Sequence, residues 1–143
     1  MKQNLITVCF SIKPVYSEKI MTGEKKYELR KRLPNGNMDF IVIYTTTPIC
    51  KIVGYAKVKE VHVKTVNDMW EIVSSSAGIC KKDYMAYFHG KDNAYAIELE
   101  NIRRFKKPFN IKEINKNFSA PQSFCYVKEE DFIRLKKRCS EYV

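Results

Sequence analysis

The segment Gly23-Glu24-Lys25-Lys26-Tyr27-Glu28-Leu29-Arg30-Lys31-Arg32 decides how this chain is interpreted. Apolar and charged side chains alternate along it, which is typical of a β-strand with one apolar face and one charged face. Tyr27 and Leu29 belong to the apolar face. The charged face carries four side chains: Lys26, Glu28, Arg30 and Arg32. We therefore expect a strand from Lys26 to Arg32 that offers a charged surface.

The flanking sequence predicts an α+β domain of about six strands, with helices between and after them. The other strands are expected at Leu5 to Ile12, Asp39 to Thr45, Lys51 to Lys64, Ala94 to Leu99 and Ser123 to Val127. Helices are expected at Pro14 to about Thr22 (ended by Gly23), Thr65 to Val73, Lys81 to Phe88 and Glu129 to about Tyr142, the last with an apolar stripe of Phe132, Leu135 and Cys139. In the strand that begins at Lys51, the alternation of apolar and polar residues shifts by one position between Val58 and Val61. Such a shift indicates a bulge of the kind that lets a sheet curl.

Length and composition exclude several classes of protein. A chain of 143 residues with 45% apolar and 29% charged residues predicts one domain over residues 1–143. It has no apolar run of about 18 residues, so we expect no membrane span, and we expect no secretory signal. Five scattered cysteines without a CxxC motif, and two histidines, indicate reduced thiols in a cytoplasmic protein rather than a disulfide framework or zinc site. We expect no metal and no cofactor.

The net charge of +10 favours a polyanionic partner, with nucleic acid the leading candidate. Two segments hold the excess: residues 1–32 carry eight basic and three acidic residues, and residues 101–116 carry six and one. Base composition and solubility are an alternative cause of such a lysine-rich surface. The basic cluster in the second segment has two possible roles. It either extends the surface that contacts nucleic-acid phosphates or protects an edge strand against aggregation. Its members are Arg103, Arg104, Lys106 and Lys107.

Ser11-Ile12-Lys13-Pro14, followed by the Gly23–Arg32 segment, resembles the signature of the ASCH domain family, GxKxxExR. Gly23, Lys25, Glu28 and Arg30 fill its four positions. Later stretches are also similar to small prokaryotic ASCH proteins, among them Ala94-Tyr95-Ala96-Ile97 and Ala120-Pro121-Gln122-Ser123-Phe124. The resemblance implies a PUA-like mixed or antiparallel β-barrel of about six strands with flanking helices, in which the motif strand borders a basic cleft that binds RNA.

The residues predicted to bind nucleic acid are Lys13, Lys25, Lys26, Glu28, Arg30, Arg32, Tyr44, Arg103, Arg104 and Phe124. The cations can contact phosphates, Glu28 can orient a guanidinium or accept from a base amino group, and the aromatic rings can stack on bases. Two alternatives stay open. Glu28 can be a cross-strand ion-pair partner on a solvated face, and the aromatic residues can fill the core.

The function predicted is an RNA- or nucleotide-binding ASCH module that regulates transcription or translation. The alternative is a small hydrolase of amidohydrolase or ribonuclease type that acts on a modified nucleoside or RNA, with Lys25 and Glu28 as its candidate catalytic residues. The resemblance implies a threonine nucleophile three residues after the lysine in the amidohydrolase relatives, where this chain has Glu28, so binding is favoured over catalysis. A third alternative is a protein-interaction domain with an acidic partner. The sequence indicates neither an oligomeric state nor an RNA sequence.

Overall fold

Six strands and four α-helices make up the part of the chain that the structure, a computed structural model, describes: residues 4–141, with side chains for residues 4–137. The strands are β1 Leu5–Ile12, β2 Tyr27–Arg30, β3 Asn37–Thr45, β4 Lys51–Thr65, β5 Asn93–Phe109 and β6 Phe124–Val127. The helices are α1 Pro14–Thr22, α2 Val66–Val73, α3 Lys81–Tyr87 and α4 Glu129–Glu141. No helix among these residues is both long and apolar enough to cross a membrane.

The strands form one mixed sheet in the order β2-β5-β4-β3-β1-β6. The β1–β3 pair is parallel and the other neighbours are antiparallel. This confirms the predicted α+β class with six strands and flanking helices. The described strands leave β2 and β6 as edges, so the sheet is not closed and the expected barrel is wrong in that respect. The sheet nevertheless curls far enough for Arg30 of β2 to reach Ser11 of β1.

Strand lengths differ from the sequence prediction around the motif and in the second basic segment. β2 is limited to four residues, because the chain turns directly after Arg30 into the Pro34 and Gly36 loop. The sequence predicts a strand over Ala94 to Leu99 that continues irregularly into the basic stretch, and β5 instead runs as one strand through the whole basic cluster up to Phe109. The predicted bulge is confirmed, since the pairing of β4 with β5 shifts register between Val58 and Glu60.

The core is divided by the sheet and its helices into three apolar clusters. One, under α1, contains Phe10, Ile20, Ile41, Ile43 and Ile97. A second, under α4, contains Phe105, Phe109, Phe132 and Leu135. The third joins α2 and α3 to β2 and β5 and contains Leu29, Met69, Tyr84 and Phe88. Phe132 and Leu135 confirm the predicted stripe of α4, whereas the side chain of Cys139 lies outside the described residues.

The turn from α1 into the motif follows the sequence prediction. Gly23 has a left-handed backbone (φ 87°) and its N–H donates to the carbonyl of Ile20 at 3.1 Å. A residue with a Cβ is disfavoured in this conformation, which explains the glycine. Lys25 then bonds back to α1, its N–H donating to the carbonyl of Lys19 at 2.9 Å. The start of the motif is thereby fixed against the end of the helix.

Candidate functional site

A cavity of about 480 Å³ lies where the motif segment meets the end of β1, the start of α1 and helix α3. Three of the four signature residues, Lys25, Glu28 and Arg30, line it. The remaining lining residues are Ser11, Ile12, Lys13, Tyr16, Leu29, Ile79, Asp83, Ala86 and Tyr87. Ligand pockets commonly run from about 300 to 1,000 Å³, so this cavity has room for a ligand the size of one nucleotide.

Lys25 is a buried cation at the wall of the cavity, with only 4% of its surface exposed. Its Nζ donates a hydrogen bond to the carbonyl of Ala77 at 2.6 Å and lies 5.4 Å from the centre of the Tyr16 ring. Burial lowers the pKa of the Lys25 ammonium, an effect opposed by the carboxylate of Glu28 and reinforced by Lys19 and Arg30. An ammonium held in this way can neutralise an anion in the cavity without first losing a full water shell.

Glu28 and Arg30 form an ion pair on one face of β2. The Arg30 Nη2 and Nε atoms lie 2.8 Å and 3.0 Å from the same carboxylate oxygen, Oε2. Arg30 also donates to the carbonyl of Ser11 at 2.9 Å and to Oγ of Ser123 at 3.2 Å, and its guanidinium lies 4.7 Å from the Phe10 ring centre. The two side chains share a face as predicted, but the face is buried rather than solvated, and the partner of Glu28 is on its own strand.

Helix α3 supplies the opposite wall. Tyr87 is partly exposed at the rim and donates its hydroxyl to the carbonyl of Leu29 at 3.4 Å, while Lys31 lies 4.7 Å from its ring centre. Burial raises the pKa of the Tyr87 phenol, and burial together with the nearby Asp83 raises that of Tyr16. Both phenols therefore stay protonated at neutral pH, and Tyr87 can donate to an anion only after its hydroxyl turns away from the Leu29 carbonyl.

The ten predicted binding residues do not all meet at this cavity. Lys13, Lys25, Glu28 and Arg30 do, whereas Lys26 and Arg32 are exposed and do not line it. Tyr44 is buried in the cluster under α4, and Phe124 packs against Phe10 with ring centres 5.8 Å apart. Tyr44 is thus a core residue, whereas Phe124 is half-buried and packs against the cluster under α1. Arg103 and Arg104 are exposed on β5, and Arg104 pairs with Glu18 of α1 at 2.9 Å.

The sequence prediction missed the residues that α1 and α3 contribute to the cavity, namely Tyr16, Asp83 and Tyr87. Nothing in their spacing connects α3 to a motif some 55 residues earlier, because only the packing of α3 on β2 brings them together. Gly78 gave a partial signal as part of a loop of small residues. An added Cβ there would lie 2.8 Å from Cβ of Lys25, so the glycine makes room for the lysine.

Comparison with known proteins shows which family the chain belongs to. The profile of the ASCH domain matches residues 10–109, which is more than half of the sequence. The chain belongs to the ASCH domain family. This confirms the family inferred from the signature, and the matched range includes the motif and every residue that lines the cavity.

Its similarity to one ASCH protein extends over most of both chains. An ASCH domain-containing ribonuclease from Zymomonas mobilis subsp. mobilis is 30% identical over 87% of this chain and 86% of its own length. Two crystal structures of the Zymomonas mobilis ASCH protein also match. A tyrosine-to-phenylalanine variant has a TM-score of 0.84 and 28% identity, covering 92% of this chain and 96% of its own. A serine-to-alanine variant has a TM-score of 0.85 and 27% identity, covering 95% and 98%.

Proposed function

We propose that this ASCH protein binds single-stranded RNA and cleaves it, with one nucleotide unit held in the cavity. The observation that carries the proposal is the placement of Lys13, Lys25 and Arg30 around one cavity beside Glu28. Cations grouped in a partly closed site suit a phosphodiester, because their charges act more strongly there than at an open surface. The 30% identity to an ASCH ribonuclease supports cleavage over binding alone.

The chemistry proposed is attack by the ribose 2′-oxygen on its own phosphorus. Both contacts between Arg30 and Glu28 are to Oε2 of the carboxylate, and Oε1 accepts no hydrogen bond from the described side chains. Oε1 of Glu28 can therefore take the 2′-hydroxyl proton while Lys25 and Arg30 neutralise the charge that develops on phosphorus. The 5′-oxygen leaves with a proton donated by a tyrosine hydroxyl of the cavity, and the products are a 2′,3′-cyclic phosphate and a 5′-hydroxyl end.

The hydroxyl groups of the cavity support the same proposal. Tyr16, Tyr87 and Ser11 line it. Phenols that remain protonated can donate to the non-bridging phosphate oxygens or to the leaving 5′-oxygen. An acyl-transfer reaction has less support, because position 28 holds a carboxylate bound to Arg30 instead of a nucleophilic hydroxyl.

The test compares Lys25→Met with Lys26→Ala on end-labelled single-stranded RNA. Methionine fits the space of the buried lysine stem and removes the charge together with the hydrogen bond to the Ala77 carbonyl, whereas Lys26 is exposed and does not line the cavity. We expect cleavage by the native chain and Lys26→Ala, and loss on the order of 100-fold in Lys25→Met, the size typical of losing one electrostatic stabiliser. An RNA with 2′-deoxyribose at the cleaved position should stay intact.

Binding and cleavage are measured separately in the same samples. Salt-sensitive binding without product would support the RNA-binding module of the sequence prediction and contradict the cleavage step. Equal cleavage by Lys25→Met and the native chain would show that this cavity is not where the reaction takes place. Cleavage of the deoxy-substituted position would replace 2′-oxygen attack with attack by water.

A further inference from the structure

Two cysteines that are 116 positions apart in the sequence face each other across neighbouring strands. Cys9 of β1 and Cys125 of β6 are directly opposite in the antiparallel register, and both side chains pack in or against the apolar cluster under α4. Both are free thiols. The sequence prediction treated them as separate reduced cysteines, because it could not show that β6 lies beside β1.

Directly opposed positions have the right separation for a covalent link. Residues facing each other in an antiparallel ladder have Cα atoms about 4.5 to 5.5 Å apart. Disulfides usually join Cα atoms separated by about 4.4 to 6.8 Å. The two strands therefore need little movement to bring the sulfur atoms of Cys9 and Cys125 into bonding contact.

We propose that Cys9 and Cys125 form a redox modification site that a peroxide converts reversibly into a cross-strand disulfide. Cys125 attacks one peroxide oxygen, the O–O bond breaks, and the products are water and a sulfenic acid on Cys125. The sulfur of Cys9 then attacks the sulfur of Cys125, the S–O bond breaks, and a second water leaves with the proton of Cys9. In total, two thiols lose two electrons and two protons, and one peroxide is reduced to two waters.

The environments of the two thiols suit these separate roles. Cys125 is partly exposed, whereas Cys9 is fully buried beneath it, so dissolved peroxide reaches Cys125 first. The neighbouring Cys9 thiol lowers the pKa of Cys125, whereas the Cys125 thiol and burial raise the pKa of Cys9. An accessible thiol of lowered pKa beside a second thiol is the arrangement that favours a disulfide over further oxidation.

The link would fasten the last strand of the sheet. Among the described strands β6 has four residues and pairs only with β1. Ser123, directly before it, accepts a hydrogen bond from Arg30 and bonds through its carbonyl to the N–H of Ser11 at 3.0 Å. A disulfide at Cys125 would therefore restrict the movement of Ser123 and β6, which support one wall of the cavity. This inference does not depend on RNA binding or cleavage.

The experiment treats the full chain with hydrogen peroxide, blocks the remaining thiols and maps the peptides by mass without reduction. We expect a linked pair of peptides joining Cys9 to Cys125, which dithiothreitol separates, together with a higher urea midpoint for the oxidised protein. Cys125→Ser should abolish the linked pair. Cys80→Ser, which replaces an exposed cysteine away from this pair, should leave it unchanged.

Two results would overturn the proposal. One is oxidation of Cys125 to sulfinic acid with Cys9 still alkylated after denaturation. The other is a linkage of Cys125 to Cys50, Cys80 or Cys139 in place of Cys9. The linked peptides are identified in the native chain, so the test remains valid even if the Cys125→Ser variant does not fold.

Discussion

At the scale of single residues, Arg30 connects more parts of the site than any other motif residue. Its guanidinium bonds to Glu28 on the same strand, to the Ser11 carbonyl on β1 and to Ser123 before β6. Glu28 depends on it, since a carboxylate with 7% of its side chain exposed has lost most of its contact with water. A buried charge of this kind is tolerated only while its partner is present.

Replacing Arg30 should therefore destabilise the fold much more than replacing its neighbour Arg32. We expect Arg30→Ala to lower the free energy of unfolding by about 3 to 5 kcal/mol, because it leaves Glu28 buried without its counter-charge. Arg32 is exposed, so Arg32→Ala should change stability by less than about 0.5 kcal/mol. Urea unfolding of both variants measures the difference. Similar midpoints for the two would mean that the ion pair contributes little.

Lys25 should titrate below the ordinary lysine value of 10.5, since burial lowers its pKa. Between its folded pKa and 10.5 the unfolded chain binds more protons at this residue than the folded chain does. The contribution of Lys25 to the free energy of unfolding therefore rises with pH in that window, and below it the burial penalty is present in full. The measurement is the ¹³Cε titration of Lys25, assigned by its absence in Lys25→Met. A midpoint at or above 10.5 would contradict the burial effect.

The motif residues could be predicted from the sequence, but their burial could not. Alternation along residues 26–32 correctly placed Glu28 and Arg30 on one face. It could not show that this face lies against β1 and α3, because that depends on contacts with Ser11 and Tyr87, which are distant in sequence. The four charged positions therefore looked equivalent, although Lys26 and Arg32 are exposed and Glu28 and Arg30 are enclosed.

At the scale of elements, the loop between α2 and α3 holds the motif through its backbone carbonyls. The carbonyl of Ser76 accepts from the N–H of Lys26 at 2.8 Å, and that of Ala77 accepts from Nζ of Lys25. The carbonyl of Gly78 accepts from Nζ of Lys19 at 3.0 Å. Three consecutive carbonyls thus fix the end of α1 and the start of the motif relative to α3.

Two glycines with left-handed backbones allow this loop to be tested against a matched control. Gly78→Ala would place a Cβ 2.8 Å from Cβ of Lys25, whereas Gly23→Ala would meet nothing within 4 Å. Gly23→Ala should cost about 1 kcal/mol for the backbone conformation alone. Gly78→Ala should cost about 2 to 4 kcal/mol, because overpacking against Lys25 is added. Urea unfolding measures both, and equal costs would show that the loop moves aside freely.

The elements themselves were predictable where local signals were strong, and their arrangement was not. Pro14 and Gly23 bounded α1, and the parity slip near Val58 marked the bulge in β4. The sheet order depends on long-range pairs such as Cys9 with Cys125, for which a single sequence offers no signal. The same limitation explains why the chain was expected to close into a barrel, although β2 and β6 are edges.

At the scale of the whole molecule, the net charge of +10 is distributed over more surface than the cavity provides. β2 pairs only with the first half of β5, so among the described strands the basic second half of β5 pairs with β4 alone. The charges on this half are therefore also explained by protection of an exposed strand edge against aggregation. The side chains of Arg103 and Arg104 in this half lie on opposite faces of the strand. Arg104 lies toward α1, where it meets Glu18, and Arg103 is the adjacent residue, on the opposite face of the strand.

On the proposed function, this difference gives a test of whether the RNA continues from the cavity across α1 to β5. A strand on that path passes Arg104 and not Arg103, so only Arg104→Ala should remove a phosphate contact. For single-stranded RNA the slope of log affinity against log salt concentration should then become shallower by about 0.7 in Arg104→Ala. Arg103→Ala should keep the native slope. Unchanged slopes in both variants would favour edge protection as the role of this basic cluster, and equal reductions would place the RNA along the strand edge rather than over α1.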